Sequence, residues 1–248
     1  MRNKKVVFEI ILLALCVSVL VGIVYVNRAV YKEMWVRPKL DSAVAAYYRG
    51  KSLADSGQYD LAAAFLRKAV QLNPNFGKAW LMLAWVYDKQ GQGSSKETEE
   101  SLLKAISLLA SDPENLARAQ CSLGMLYRDL KAYDQAIQQL NAAIVAFPFL
   151  AGEKNEGEPH AVLAEIFVRQ GRYNDAVREG LLSVKINPKN SCGLFFLALA
   201  HLFKGEMNLA ANVIAQLTTV EPEKASELKT IMDSPNREKL LREKYAVW

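Results

Sequence analysis

The stretch GRYNDAVREGLLSVKINP, residues 171–188, contains a spacing that recurs along this chain of 248 residues. One aromatic and two polar residues precede Ala176, and a proline follows Ala176 after 12 positions. The same interval, after a closely similar start, runs from Ala62 to Pro74, from Ala136 to Pro148 and from Ala210 to Pro222. A regular interval of this kind indicates a repeat protein, in which each repeat is one small structural unit.

Each repeat is predicted to form two packed helices. Large apolar residues such as Trp80, Leu83 and Tyr87 fall at three- and four-residue spacings, which places them on one helix face. The eighth residue of each first helix is small, and we expect it to let the paired helices approach closely. These small residues are Gly50, Ala84, Gly124, Ala164 and Ala198. Proline cannot continue a helix interior. The prolines expected to close the second helices are Pro74, Pro113, Pro148, Pro188 and Pro222.

This pattern resembles the tetratricopeptide repeat (TPR), a helix–turn–helix unit of about 34 residues. The resemblance implies an all-α solenoid of about five repeats, ending in a C-terminal capping helix. The predicted segments are a basic tail (1–5), a transmembrane helix (6–27), a juxtamembrane connector (28–42), a solenoid (43–224) with repeats near 43–76, 77–114, 117–150, 157–190 and 191–224, and a C-terminal cap (225–248).

The apolar run over residues 6–26 predicts a membrane anchor, because its only charged residue is Glu9. A helix of this length spans roughly 31 Å, against about 30 Å for the hydrocarbon core of a bilayer. We predict a single-pass protein of the bacterial inner membrane. A short tail before such a run favours repeats in the periplasm. Positive residues flank the run on both sides, so a cytoplasmic orientation stays open as the alternative.

The net charge of +5 comes from the N-terminus, not from the repeats. Residues 1–40 hold seven Lys or Arg and two Asp or Glu, whereas the remaining residues hold 24 of each sign. This balance argues against a nucleic-acid partner. Three scattered cysteines and two distant histidines form no metal-ligand spacing, and we expect the cysteines to be buried apolar residues. The sequence shows no catalytic constellation, so we predict no enzyme activity, cofactor, metal or small-molecule substrate.

The TPR resemblance also implies a groove, lined by the first helix of each repeat, that grips a segment of another protein. Carried onto this chain, the partner-binding positions are Tyr47, Lys51, Lys78, Trp85, Arg118, Met125, Arg128, Glu165 and Phe195. Basic side chains interleaved with aromatic ones suit an acidic, partly aromatic segment, extended or helical. In the alternative interpretation, Trp85 and Phe195 are core residues and the charges are merely solvated.

These features together predict a membrane-anchored scaffold or assembly factor of the cell envelope. Two alternatives remain at this point. One is a periplasmic holdase-type chaperone for translocated proteins, which would need exposed apolar groove surface near residues 195–202. The other is a permanent structural subunit of a membrane complex.

Overall fold

The computed structural model describes residues 42–91, 95–146 and 158–245, which form helices joined by turns and contain no strand. The predicted basic tail and transmembrane helix lie outside these residues. In the described part, no helix combines the length and the apolar character needed to cross a bilayer. The helices are α1 (Ala43–Asp55), α2 (Tyr59–Leu72), α3 (Gly77–Gln90), α4 (Ser95–Leu108), α5 (Pro113–Asp129), α6 (Tyr133–Ala146), α7 (Glu158–Arg169), α8 (Tyr173–Ile186), α9 (Ser191–Phe203), α10 (Met207–Thr218), α11 (Pro222–Asp233) and α12 (Arg237–Tyr245).

The first ten helices pack as five hairpins, from α1/α2 to α9/α10. The first helices also contact one another in sequence, so α1, α3, α5, α7, α9 and α11 form one row. Each hairpin stacks on the next mainly where its second helix packs against the following first helix, as repeat units do in a solenoid. This arrangement confirms the predicted all-α solenoid.

Two glycines allow close helix packing inside their hairpins. A Cβ atom added at Gly50 would lie 2.7 Å from Cγ of Leu66, and one added at Gly124 would lie 2.7 Å from Cγ of Leu140. Both leucines are fully buried, so neither can move aside cheaply. The prediction that small residues permit close approach is confirmed for these two hairpins.

The turns within four hairpins share one backbone geometry. Gly57, Gly171 and Gly205 have φ values of 77°, 72° and 75°, and Lys131 takes the equivalent position with φ 59°. The N–H of each of these four residues donates to the carbonyl of the residue three positions earlier. The N–H of the residue that follows donates to the carbonyl five positions earlier, as from Gln58 to Leu53 at 2.9 Å. These bonds satisfy carbonyls that the end of a helix leaves without partners.

The predicted role of the prolines was wrong at two positions. Pro113 and Pro222 do not close second helices; they are the first residues of α5 and α11. The first turn of a helix needs no proline N–H and suits its fixed φ, so proline is favoured there. Pro74 and Pro188 follow the ends of α2 and α8, as predicted, and Pro148 lies outside the described residues.

The core of the described residues divides into two clusters along the row of hairpins. The smaller cluster runs from Ala46 to Val86 and joins the first hairpin to α3. The larger one runs from Ala84 to Leu241. The partly buried ring of Trp80 packs against both clusters, and so links the two ends of the solenoid.

Candidate partner-binding surface

The predicted groove positions change from exposed to buried along the solenoid. In the first two hairpins Lys51 and Lys78 are exposed and Trp85 is 40% exposed. In the fourth and fifth hairpins Glu165 is only 7% exposed and Phe195 only 8%. The surface available to a partner therefore lies at the N-terminal end of the row.

Trp85 is the largest exposed apolar group on the first helices of the first two hairpins. Its ring meets the ring of Tyr59 edge to face, with centroids 6.0 Å apart. Nζ of Lys89, one turn further along α3, lies 5.8 Å from the Trp85 centroid. These two contacts restrain the indole while leaving it 40% exposed. We call Trp85, Tyr59 and Lys89 the tryptophan patch.

Tyr47 lies on α1 among other aromatic rings. Its centroid is 5.1 Å from that of Phe76 and 5.2 Å from that of the exposed Tyr48. Tyr47 also lies close enough to Lys78 for the two groups to interact electrostatically. Two of the predicted positions, the aromatic Tyr47 and the basic Lys78, are thus close to each other.

Three of the four predicted basic residues form ion pairs. Nζ of Lys78 lies 3.0 Å from Oδ2 of Asp112, and Nη2 of Arg118 lies 2.9 Å from Oε1 of Glu114. Asp112 raises the pKa of Lys78 by a hydrogen bond and by its charge. The Lys78 and Asp112 side chains are 52% and 30% exposed, and pairs this exposed are worth little free energy. Lys78 can therefore exchange its partner for an incoming carboxylate at small cost.

Arg128 is held more firmly, in a network that joins α5 to α7. Its Nη1 donates to Oε2 of Glu165 at 3.0 Å, and its Nη2 lies 2.8 Å from Oδ1 of Asp129. Arg169 donates to the other oxygen of Glu165 from Nη2 at 2.8 Å. Both oxygens of Glu165 are thus occupied, so this carboxylate cannot serve a partner without breaking a partly buried network.

Glu158 and two cysteines lie near this network. Burial raises the pKa of Glu158, although the charges of Arg128 and Lys89 oppose the shift. Burial likewise raises the pKa of Cys121 to about 12 and that of Cys192 to about 11. Both thiols stay protonated at neutral pH and are unreactive. Cys121 is buried as expected, whereas Cys192 is only partly buried and Cys16 lies outside the described residues.

Met125 and Phe195 belong to the packed interior more than to an open groove. Met125 is partly buried against the larger core cluster. Phe195 contacts Phe196 at 5.2 Å and Tyr245 of α12 at 5.8 Å between centroids. The C-terminal helix therefore covers a residue that the sequence placed in the binding groove.

Each histidine pairs with a glutamate through its Nδ1 atom. His160 lies 2.8 Å from Oε2 of Glu179, and His201 lies 2.6 Å from Oε2 of Glu206. Over the described ranges, no three or more His, Cys, Asp or Glu side chains are grouped so that they could hold a metal ion.

Two segments match family models described as tetratricopeptide repeat, over residues 53–95 and residues 117–146. The chain therefore contains tetratricopeptide repeats, as its sequence pattern predicted. Proteins built from such repeats generally bind other proteins or peptides and are generally scaffolds, not enzymes. A search of curated protein sequences gave no significant match.

Solved structures of similar fold include MamA and YrrB. A MamA crystal structure is 21% identical, with 74% of this chain and 94% of that chain covered and a TM-score of 0.59. YrrB, described as a TPR protein with an unusual peptide-binding site, is 16% identical, with 81% and 97% covered and a TM-score of 0.59. The MamA RS-1 ArsTM double mutant is 15% identical, with 74% and 97% covered and a TM-score of 0.60. These likenesses establish a TPR solenoid fold.

Sequence reasoning missed several residues of this surface. Lys89 follows Trp85 by four positions, and residues four apart are neighbours on a helix surface. The sequence alone could therefore have predicted this contact. Tyr59 and Asp112 gave no such signal, because each lies more than 20 residues from the side chain it contacts.

Proposed function

We propose that this protein is a membrane-anchored scaffold that binds a segment of another protein along the first two hairpins. The observation that carries the proposal is the exposed Trp85, fixed by Tyr59 and Lys89 at the open end of the predicted groove. Tryptophan is among the residues that most often dominate binding free energy at protein interfaces. A rigidly held indole also loses little conformational entropy when a partner binds.

The charges around the tryptophan patch indicate an acidic, partly aromatic partner segment. Lys51 is exposed and forms no ion pair in the described part of the chain, and the Lys78–Asp112 pair is weak enough to exchange. Carboxylates on the partner would meet Lys51, Lys78 and Lys89, while an aromatic side chain would pack on Trp85. YrrB, which has a similar fold, is described as having a peptide-binding site, and this is consistent with peptide binding by a solenoid of this kind.

The holdase alternative requires exposed apolar surface in the fifth hairpin. Leu199 and Leu202 are 0% and 2% exposed there, and Phe195 is covered as well. On the described first helices, which line the predicted groove, the large exposed apolar side chains are Val44, Tyr48 and Trp85, all in the first two hairpins. This distribution supports recognition of a particular segment over capture of unfolded chains.

The anchor in the proposal rests on the sequence of residues 6–27. Tethering a module to a membrane raises its effective concentration near membrane partners, so modest affinity at the tryptophan patch is enough for assembly. We place the solenoid in the periplasm, attached to the inner membrane, where it would help to assemble other cell-envelope proteins.

A peptide library displayed on phage tests the binding surface. The full chain should enrich peptides that carry carboxylates beside an aromatic residue. Trp85→Ala should weaken the enriched peptides at least tenfold, because the loss of a hot-spot residue costs about 2 kcal/mol or more. Leu103→Ala is the matched control, since Leu103 is 48% exposed but lies on the second helix α4. Equal binding by wild type and Trp85→Ala would refute the proposed surface.

Alkaline carbonate extraction tests the anchor. The wild-type chain should stay in the membrane pellet, and a Leu15→Arg/Val19→Arg double variant should be released. Each arginine at the centre of an apolar span costs about 2.5–3.5 kcal/mol. Retention of the double variant would contradict the anchor, and protease protection in spheroplasts would contradict the periplasmic orientation.

A further inference from the structure

The C-terminal helix α12 is a short helix that attaches through one face. Leu241 is 2% exposed, and four residues later the ring of Tyr245 lies 5.8 Å from the ring of Phe195 on α9. Residues four apart share one face of a helix, so these two side chains form a single line of apolar contact. The other residues of α12 are exposed or partly exposed.

The attachment of α12 is weak by three measures. The helix has nine residues, and isolated helices shorter than about 12–15 residues are marginal in water. Its one ion pair to α11 joins Nζ of Lys244 to Oε1 of Glu227 at 2.8 Å, with Lys244 56% exposed. The hydroxyl of Tyr245 is buried and has no hydrogen-bond partner within the described residues. A buried hydroxyl without a partner disfavours the bound state.

Release of α12 would uncover Phe195, which occupies a predicted partner-binding position. The contact that α12 makes with α9 is that of the Tyr245 ring on Phe195. The structure thus shows an apolar surface at Phe195, on the fifth hairpin, that the chain covers with its own last helix.

We propose that this α9 surface is a second docking site, and that a partner helix carrying leucine and phenylalanine four residues apart replaces α12 on it. Phenylalanine fits better than tyrosine because none of the described residues offers an acceptor to the hydroxyl. A lysine or arginine directly before the phenylalanine would take over the contact that Lys244 makes with Glu227. This site lies on the fifth hairpin and does not depend on the tryptophan patch.

A synthetic helix tests the proposal. The probe is a fluorescein-labelled peptide with the sequence of residues 234–245 and phenylalanine at its last position. Its binding to the full chain is compared with binding to Leu241→Asp, in which α12 is released, and to Lys239→Ala, which changes a residue 75% exposed on the same helix. When a site is covered by the chain's own helix, the apparent affinity for a competitor equals the intrinsic affinity multiplied by the fraction of molecules in which the site is free. We expect Leu241→Asp to bind the peptide at least tenfold more tightly than either wild type or Lys239→Ala.

Equal affinity of wild type and folded Leu241→Asp would overturn the proposal. If Leu241→Asp does not fold, Lys244→Glu replaces it, because it repels Glu227 and loosens the same helix. Hydrogen exchange on the wild-type chain gives a second measurement. Amides of α12 should exchange well before those of α9, and equal protection of the two helices would also overturn the proposal. Trp85→Ala should leave peptide binding unchanged, which separates this site from the one proposed above.

Discussion

At the scale of single residues, Lys131 is the clearest departure from the pattern of the repeats. It is the one non-glycine among the described residues with a positive φ, 59°, and it stands where three other hairpins have glycine. Its N–H still bonds the carbonyl of Arg128 at 2.9 Å, so the turn keeps its hydrogen bonds despite the side chain. A side chain in the left-handed region crowds the backbone, and glycine avoids this cost.

Lys131→Gly should therefore stabilise the protein. Glycine removes the strain of the left-handed backbone, but it also raises the conformational entropy of the unfolded state. The net gain in the free energy of unfolding should be roughly 0.5–1 kcal/mol. The measurement is the free energy of unfolding in urea. Lys131→Ala serves as the control, since it removes the same side-chain atoms beyond Cβ and keeps the strain. A gain of the same size in Lys131→Ala would show that the lysine side chain, and not the backbone, is responsible.

At the scale of elements, α7 and α8 are joined by charged groups. Glu179 of α8 pairs with His160 of α7 at 2.8 Å and accepts from Nε of Arg178 at 3.1 Å. Burial by itself raises the pKa of Glu179, but the hydrogen bonds and charges of His160 and Arg178 outweigh burial and hold the pKa below its usual range. The folded state thus favours the ionised carboxylate.

Glu179→Gln should lower stability in a way that depends on pH. A carboxyl whose pKa is lowered by folding adds stability above its unfolded pKa and loses it as the pH falls through the lowered value. We expect a loss of about 1–2 kcal/mol at pH 7, in the range for hydrogen bonds to charged groups. Urea unfolding at several pH values should show the gap between variant and wild type closing in acid. A gap that stays constant down to pH 3 would contradict the assignment, and Glu100→Gln, at an exposed carboxylate, is the control.

At the scale of the whole molecule, the two core clusters predict uneven cooperativity. Repeat proteins gain stability from each unit and from contacts between neighbours, so distant units can open separately. Here the smaller cluster holds α1 to α3, and the larger one holds the hairpins after it. The end that carries the tryptophan patch is therefore able to open while the C-terminal end stays folded.

Two cavity variants test this division. Leu66 and Leu217 are both fully buried, one in each cluster, and either change to alanine should cost about 2–5 kcal/mol. In hydrogen exchange, Leu66→Ala should accelerate the amides of α1 and α2 and leave those of α9 and α10 unchanged. Leu217→Ala should accelerate α9 and α10 instead. Acceleration over the whole chain in both variants would show a single cooperative unit.

The hairpins could be predicted from the amino-acid sequence, because their causes are local. The interval from Ala176 to Pro188, the small residues at Gly50 and Gly124 and the turn at Gly171 each act within one repeat. Proline was harder to interpret, since the same residue suits both the end of one helix and the start of the next. The same pattern predicted a groove, but not which part of it is open.

The part of the groove that is open to a partner depends on contacts between residues far apart in the chain. The groove is closed near Phe195 by Tyr245, which is 50 positions away along the chain, and one oxygen of Glu165 is occupied by Arg128, which reaches it from another hairpin. Exposure and ion pairing depend on which distant residues the stack brings into contact, and no repeat interval encodes those contacts. Trp85 remains accessible because the residues that contact its ring, Tyr59 and Lys89, leave it 40% exposed.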